Sequence, residues 1–231
     1  MSTQLNPVRI ISSGSEPFSD RQAAGKLLAA QLFGYRDSSP VVLGIPRGGV
    51  IIAAEIAGEL KAELDIVLAH KLGAPHNSEL AIGSVCEDGT LFVEKGIALY
   101  AGADNRYIQQ EKKRQMLEMD RKVKLYRRIL PRISLADRVV IVTDDGVATG
   151  ATMQAALWAI RNEKPKKIVL ALPVGPPDTV TRLDGAADET VCLKTPPYFQ
   201  AIGQFYQQFP QVEDEELLEV LERENRRRNT R

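Results

Sequence analysis

The sequence predicts an α/β fold: a mostly parallel, twisted sheet with helices on both faces. Two observations support this prediction. Short runs of β-branched and aliphatic residues alternate along the chain with longer segments whose apolar residues recur at helical spacing. Residues 139–142, Val-Val-Ile-Val, are apolar throughout, as expected of a central parallel strand buried on both faces. A chain of 231 residues that is 44% hydrophobic can bury one such core as a single domain with an appendage.

The predicted elements follow one another in a regular order. Helices are predicted at residues 20–33, 50–60 and 153–162, and strands at residues 41–43, 64–69, 139–142 and 167–172. A helix near residues 178–187 and a strand near residues 189–193 complete the series. Ligands bind beyond the carboxyl ends of the strands in sheets of this kind. We therefore expect the loops after the first three predicted strands to converge on one site.

A long insertion separates the second predicted strand, at residues 64–69, from the third, at residues 139–142. Residues 81–86 and 91–93 flank an Asp-Gly pair, which is favoured in tight turns, and predict a hairpin. Residues 105–130 predict a long helix dense in Lys and Arg, and such a helix is usually a solvated face or a subunit contact. The basic residues near its middle that could instead reach a neighbouring site are Lys112, Lys113 and Arg114.

The C-terminal part of the chain concentrates aromatic residues. Those of segment 195–209 are Tyr198, Phe199, Phe205, Tyr206 and Phe209, in a chain that is 6% aromatic. Aromatic clusters of this kind are more often part of a core than of a binding surface. Residues 213–223 predict a short acidic helix, and residues 224–231 are expected to fray.

Two adjacent acids and a hydroxyl-rich turn follow the strand at residues 139–142. Asp144 and Asp145 lie at its carboxyl end, and residues 148–152, Ala-Thr-Gly-Ala-Thr, precede the next helix. Free N–H groups and the positive end of the helix dipole make such a turn an anion site. A bare phosphate would be repelled by the acids, so they need another partner, such as sugar hydroxyls or a metal carried by the ligand. The same residues also suit an ordinary turn and helix start, but the strand-to-helix context favours a binding motif.

A second loop follows the strand at residues 41–43. Arg47 could offer a fork of donors to a diphosphate, while Gly48 and Gly49 would let backbone N–H groups approach it. The alternative is that Pro46 and the glycines make a tight turn and leave Arg47 in solvent. The two histidines, His70 and His76, have no Cys or acid at ligand spacing, so we predict no metal site in the protein itself.

Composition excludes several function classes. Lys and Arg together number 30, as do Asp and Glu, so bulk charge argues against a dedicated nucleic-acid binder. Cys86 and Cys192 form no motif and suit a reducing cytosol. No apolar run approaches bilayer length, and the polar start lacks the apolar core of a signal peptide. We expect a soluble cytoplasmic protein without a nucleic-acid or membrane partner. The chain lacks a P-loop sequence, and its adjacent acids do not fit the D-x-D motif of haloacid-type phosphatases.

Residues 139–152 resemble the signature of the type I phosphoribosyltransferases, in which a hydrophobic strand precedes two acids, a few small residues and Thr-Gly-x-Thr. The resemblance implies that Asp144 and Asp145 hold the ribose hydroxyls of phosphoribosyl pyrophosphate (PRPP). It implies that the following turn, here called the phosphate loop, holds the 5-phosphate. The substrate-binding residues that follow the acids are then Gly146, Val147, Ala148, Thr149, Gly150, Ala151 and Thr152. Thr143, Gly146 and Ala151 depart mildly from the usual pattern.

The resemblance implies further roles. Arg47 and Lys71 would be catalytic by neutralising charge on the diphosphate, and Pro46, Gly48 and Gly49 would bind it. The whole chain, 1–231, would be one domain. Residues 76–132 would form an insertion with a mobile lid, whose most flexible part we expect at residues 73–79, and residues 195–223 a hood for the nucleophile. Phe18, Asp20, Arg21, Ala24 and Gly25 match the opening of a group of bacterial stand-alone phosphoribosyltransferase-like proteins with no assigned acceptor.

The function that this resemblance implies is transfer of the 5-phosphoribosyl group of PRPP to a nitrogen nucleophile, such as a nucleobase, with release of pyrophosphate. Mg²⁺ would be carried by PRPP. Ala148 stands where the hypoxanthine and guanine enzymes have an acid, which makes a 6-oxopurine a less favoured acceptor. The alternative is a non-catalytic regulatory protein of the same fold that binds PRPP or a nucleotide. We expect a homo-oligomer in either case.

Overall fold

The computed structural model describes residues 8–230, which form a six-stranded sheet, a small three-stranded sheet and the helices around them. The strands are β1 (Arg9–Ser12), β2 (Val41–Gly44), β3 (Glu63–Ile66), β4 (Ala69–Ala74), β5 (Asn77–Cys86), β6 (Leu91–Val93), β7 (Val139–Thr143), β8 (Lys167–Val174) and β9 (Glu189–Lys194). The α-helices are α1 (Arg21–Gln31), α2 (Gly48–Leu60), α3 (Lys95–Tyr100), α4 (Asn105–Ile129), α5 (Ala151–Asn162), α6 (Pro177–Asp184) and α7 (Asp214–Asn229). Two short 3₁₀ helices lie at Phe33–Ser38 and Ile202–Phe205.

The large sheet is parallel, with the strand order β1-β9-β8-β7-β2-β3. The predicted mostly parallel α/β fold is therefore confirmed. β7 and β2 are neighbours in the middle of this sheet, and their last residues, Thr143 and Gly44, are register partners. The loops that follow these two strands must therefore start side by side.

Helices cover both faces of the large sheet, as predicted. Successive residues of β7 point to opposite faces. Ile141 belongs to the core under α1, α2 and α7, whereas Val140 and Val142 belong to the core under α5 and α6. All three side chains are fully buried. Burial on both faces explains why this strand is apolar at every position.

The predicted strand at residues 64–69 is wrong as a single element. β3 ends at Ile66, and Ala69 begins β4 in the separate antiparallel sheet β4-β5-β6. The backbone at the break is satisfied from two sides, since Val67 N–H donates to Gly44 O at 3.1 Å and Leu68 O accepts from Glu87 N–H at 3.1 Å. An apolar run keeps the same pattern through such a change of sheet, so periodicity could not reveal it.

Both ends of the chain differ from prediction. β1 was not predicted, and it adds to the edge of the large sheet beside β9. α7 continues to Asn229, so the prediction that the tail frays is wrong for residues 224–229. Glu224 is buried and holds this end of the helix, because its carboxylate accepts from Leu64 N–H at 3.2 Å and pairs with Arg227 at 2.9 Å. Arg231 lies outside the described residues.

The insertion forms the hairpin and the long helix that the sequence predicted. β5 and β6 pair as an antiparallel hairpin, and α4 follows the six-residue helix α3. Residues 73–79, expected to be flexible, form the turn between β4 and β5 and the strand ends beside it. Arg114 is exposed and pairs along α4 with the buried Glu111 at 2.6 Å and the exposed Glu118 at 2.8 Å. Within residues 8–230, no helix has the length and apolar character needed to cross a membrane.

Candidate functional site

Two acids lie at the middle of the carboxyl edge of the large sheet. Asp144 and Asp145 directly follow β7, and both are half-buried. Asp145 N–H donates to Asp144 Oδ1 at 2.8 Å. Burial and the neighbouring charge of Asp145 raise the pKa of Asp144 well above its usual range. Charge on both carboxylates at once is therefore costly unless a ligand or a protein cation balances it.

The loop after β2 packs directly against the acid pair. Pro46 and Arg47, which are joined by a cis peptide bond, lead into α2, which begins at Gly48. A Cβ atom at Gly49 would lie 2.8 Å from Asp144 Cα and 2.9 Å from Asp144 Oδ1, which leaves no room for a side chain. At Gly48 a Cβ atom would collide with the Asp145 carboxylate. Glycine at both positions allows the backbone of this loop to touch the acids.

Arg47 lies at the border between this loop and α7. Its guanidinium is 3.7 Å from Glu213 Oε2 and 3.7 Å from Asp214 Oδ1. The Arg47 side chain is 31% exposed, so these contacts are weak and exchangeable. The structure therefore places the Arg47 guanidinium beside two carboxylates at the start of α7.

The phosphate loop is held by α6 and opens α5. Its residue Gly150 has a φ of +73°, and a Cβ atom there would lie 2.8 Å from Thr179 Cγ2, so glycine is required on both counts. Ala148 O accepts from Thr179 Oγ1 at 2.9 Å, and Thr149 O accepts from Arg182 at 2.5 Å. With these carbonyls bound to α6, the loop presents the N-terminus of α5, where backbone donors and the helix dipole favour an anion.

The other predicted loop residues divide into buried and exposed positions. Gly146 and Val147 are buried and support the loop, since Val147 N–H donates to Val174 O at 3.0 Å. The exposed positions are Ala148, Thr149 and Thr152. Ala151 is buried as the first residue of α5.

Lys71 does not lie where we predicted it. Because the predicted strand at residues 64–69 breaks, Lys71 lies inside β4, as the register partner of Ser84, and not after a strand of the large sheet. Its neighbour His70 contacts Gln115 Oε1 through Nδ1 at 2.9 Å. Only two of the three predicted loops therefore follow strands of the large sheet.

The aromatic residues of segment 195–209 form a core under the acid pair. Phe205 is fully buried, and Tyr206 is 6% exposed. Tyr206 stacks on Phe209 with ring centroids 4.8 Å apart, and its hydroxyl donates to Asp145 O at 2.6 Å. Tyr198, at 85% exposed, is an exception. Most of these rings are therefore part of the core, as the sequence analysis expected of such aromatic clusters.

Arg21 is a site residue to which sequence reasoning gave no role. It is the first residue of α1, and its Nε donates to Asp145 Oδ2 at 2.8 Å. Burial raises the pKa of Asp145, and this hydrogen bond from Arg21 opposes the rise. One signal was present in the sequence. Arg21 shares a helix face with Ala24, Gly25 and Leu28, and a charge on an apolar face needs a buried partner.

A cavity of about 830 Å³ borders the phosphate loop on the side away from the acids. Thr149, Gly150 and Ala151 form one wall, and the rings of Phe92 and Trp158, tilted by 32° with their centroids 4.6 Å apart, form another. Asp144 and Asp145 are not among its lining residues. The open space beside the loop thus lies between α5, α6 and the small sheet.

The chemistry of the acid pair suits sugar hydroxyls, or a cation that brings other ligands with it. Across residues 8–230, no group of three or more His, Cys, Asp or Glu side chains could hold a metal ion. Mg²⁺ usually keeps several waters and binds proteins through one or two carboxylates together with substrate phosphates. The two carboxylates therefore fit Mg²⁺ that enters with a diphosphate.

A family model, two curated relatives and a crystal structure are similar to this chain. The family model called "Phosphoribosyl transferase domain" matches residues 19–209. Two relatives from two strains of Mycobacterium tuberculosis, whose names assign them provisionally as phosphoribosyl transferases, are each 42% identical over 209 residues. The match covers 90% of this chain but 47% of each relative, so the chain spans about half the length of the curated relatives it matches. The crystal structure of TT1426 from Thermus thermophilus is similar at a TM-score of 0.85 and 43% identity, covering 90% of this chain and 98% of that one.

Proposed function

The chain belongs to the phosphoribosyltransferase family and has its type I fold, and from this premise we propose that it transfers the 5-phosphoribosyl group of PRPP to a nitrogen nucleophile, releasing pyrophosphate. One observation carries the proposal. The acid pair lies between the phosphate loop and the loop at residues 46–49, at the adjoining carboxyl ends of β7 and β2. This arrangement offers separate places for a phosphate, a diol and a diphosphate.

Each part of PRPP has a partner in the proposed complex. The N-terminus of α5 would bind the 5-phosphate through backbone donors of residues 148–152. Asp144 and Asp145 would accept hydrogen bonds from the ribose 2- and 3-hydroxyls. The backbone of Gly48 and Gly49 would approach the diphosphate, and Arg47 would exchange its weak contacts with α7 for phosphate oxygens.

In the proposed reaction the nucleophile attacks the anomeric carbon of the ribose. The bond from this carbon to the diphosphate oxygen breaks, and its electron pair leaves with the pyrophosphate. A carbon–nitrogen bond forms, and the proton on the attacking nitrogen passes to a base. Mg²⁺ carried by PRPP would stabilise the negative charge of the leaving group. Arg47 and Lys71 would add positive charge at the same place, which favours the transition state over the bound substrate.

The surroundings of the reaction are part of the proposal. Residues 76–132 would cover the bound diphosphate and exclude water, with residues 195–223 as the hood over the acceptor. The acceptor is a nitrogen nucleophile. Ala148 supplies no acid at the loop position where the hypoxanthine and guanine enzymes carry one, which disfavours a 6-oxopurine. We place the reaction in the cytoplasm and expect the protein to act as a homo-oligomer.

The test is calorimetric titration of the full chain with PRPP and MgCl₂. A variant with both Asp144→Asn and Asp145→Asn keeps the shape of the acid pair and removes its charge. Binding by the wild type that the double variant loses would support the proposed donor site. Release of pyrophosphate is then measured with a panel of nucleobases and amines. Binding with no turnover on any of them would favour the second candidate, a PRPP-binding or nucleotide-binding regulatory protein. Absence of binding would reject the transferase proposal.

A further inference from the structure

Arg21 joins three parts of the molecule that are far apart in the sequence. Its Nε donates to Asp145 Oδ2 at 2.8 Å, and its Nη1 donates to Pro210 O at 2.8 Å. The guanidinium carbon lies 3.8 Å from the centre of the Phe209 ring. Arg21 is 9% exposed, so these contacts account for most of its surroundings. The guanidinium thus lies between the acid pair and the residues that follow the aromatic segment.

We infer that Arg21 is a positioning residue for donor binding: it holds the Asp145 carboxylate in place and couples it to the C-terminal hood. This inference rests on the proposed function, because the acid pair is taken to bind the ribose of PRPP. Arg21 is not assigned a contact with the substrate. Its effect would pass through Asp145.

The charge balance of the acid pair explains why such a residue is needed. Two adjacent carboxylates that are shielded from water repel each other, and each loses hydration that would otherwise stabilise its charge. A buried charge without a partner is strongly destabilising. The charge-assisted hydrogen bond from Arg21 satisfies one oxygen of Asp145 and offsets part of the negative charge of the pair. Asp144 and the remaining oxygen of Asp145 stay available to accept hydroxyl donors.

Arg21 is itself held in a fixed orientation. The face of Phe209 attracts the guanidinium, and Pro210 O takes a second of its N–H groups. A Cβ atom at Gly48 would lie 3.0 Å from Arg21 Nε, so the loop after β2 closes the remaining side. With three sides occupied, the guanidinium has little freedom to leave Asp145.

A second connection from the hood supports the coupling. Phe209 stacks on Tyr206, and the Tyr206 hydroxyl donates to the backbone carbonyl of Asp145 at 2.6 Å. Both the side chain and the backbone of Asp145 are therefore fixed by residues that contact the same ring. A change in the hood at Phe209 should alter the acids without touching PRPP.

The test is a double-mutant cycle on the full chain, read by calorimetric titration with PRPP and MgCl₂. The variants are Arg21→Gln, Asp145→Asn and the two combined. We expect each single substitution to weaken PRPP binding about tenfold or more. The combined variant should bind PRPP at most about twofold more weakly than whichever single variant binds it worse. The effects of groups that act through one another do not add. Arg21→Lys should recover part of the loss, because Lys supplies the charge without the fork of donors.

Arg36→Gln is the matched control. Arg36 also lies over a phenylalanine ring, that of Phe33 at 5.4 Å, but beyond the other end of α1. The Arg36→Gln variant should bind PRPP as the wild type does.

Phe209→Leu keeps an apolar side chain and removes the ring under the Arg21 guanidinium. It should weaken PRPP binding in the wild type and have little effect when Asp145→Asn is present.

The outcomes separate this inference from the proposed function. If the wild type binds PRPP and Arg21→Gln binds it equally well, Arg21 is not a positioning residue. Additive losses in the cycle would also overturn the inference, because Arg21 would then act independently of Asp145. If Arg21→Gln does not fold, as judged by its thermal unfolding, the cycle is run with Arg21→Lys and the same criteria apply. Failure of the wild type to bind PRPP would reject the proposed function, and this inference with it.

Discussion

The carboxyl edge of the large sheet and the small sheet of the insertion are fixed in place by different interactions. At the edge, β2 and β7 pair residue by residue up to Gly44 and Thr143, between strands that are buried on both faces. In the small sheet, the pairing of β4 and β5 shifts register twice, on either side of Gly73, and β6 has three residues. Strand pairing in the large sheet thus positions the acids, whereas Lys71 is positioned by the separate small sheet. Residue types at strand ends predict the placement of a side chain well only in the first situation.

Arg127 tests the connection between the two regions, and its loss should have the largest effect. It pairs with Asp65 of β3 at 2.6 Å and with Glu87, at the end of the hairpin, at 2.7 Å. Asp65 is 1% exposed, so Arg127→Met would leave a buried carboxylate without its cation. We expect the free energy of unfolding to fall by about 3–5 kcal/mol.

Urea unfolding would measure this loss. Arg121→Met is the control, because its pair with Asp214 at 3.5 Å involves an arginine that is 82% exposed, and it should cost less than about 1 kcal/mol. Equal losses in the two variants would show that the central sheet does not depend on the insertion through Arg127.

A comparison of two core truncations would sharpen the difference between the regions. Ile141 in β7 is 0% exposed, and Ile141→Ala should lower the free energy of unfolding by about 2–5 kcal/mol. Leu91 in β6 is only half-buried, so Leu91→Ala should lower it by about 1–2 kcal/mol. The measurement is again urea unfolding, and a larger loss at Leu91 would mean that the small sheet contributes more to stability than its packing suggests.

Two glycines of α2 offer a test of the contact between the loop after β2 and the acids. Gly49→Ala would place a Cβ atom against Asp144, and we expect PRPP affinity to fall at least about 10–100-fold, or about 1.4–2.7 kcal/mol. At Gly58, nine residues further along the same helix, a Cβ atom would meet nothing within 4 Å. Gly58→Ala should therefore stabilise the protein by about 0.5–1 kcal/mol and leave binding unchanged. Both variants are titrated with PRPP, and their thermal unfolding is measured. Normal PRPP binding by Gly49→Ala would show that the site does not depend on the contact between this loop and Asp144.

Lys71 tests whether the small sheet contributes to the donor site, with the smallest expected effect. If Lys71 contacts the diphosphate, Lys71→Met should weaken PRPP binding by about 3–10-fold, or roughly 1 kcal/mol. Lys95→Met, at the exposed start of α3, is the control for a lost surface charge. The two variants are compared by calorimetric titration with PRPP. Equal affinities of the two variants for PRPP would exclude Lys71 from the site.

The sequence predicted the parts of the molecule in which local pattern and tertiary role agree. The apolar run of β7 has only one interpretation, because a strand buried on both faces cannot tolerate polar side chains. It fixes where the acids and the glycine-containing turn before α5 lie. Prediction was poorer at residues 64–69. A strand of the large sheet and a strand of a separate sheet show the same apolar pattern there, so the position of Lys71 was wrong.

The sequence by itself determined the fold class and the order of the main elements, and it predicted the type of site at the end of β7. Tertiary structure alone decided which distant residues meet there. Arg21 lies 124 residues from Asp145 along the chain, and nothing local to either residue specifies their contact. Tertiary structure also decided that most of the aromatic residues of segment 195–209 are part of the core, and that Arg47 lies against α7. Local pattern depends on the burial of one segment, whereas these contacts depend on how several segments pack together.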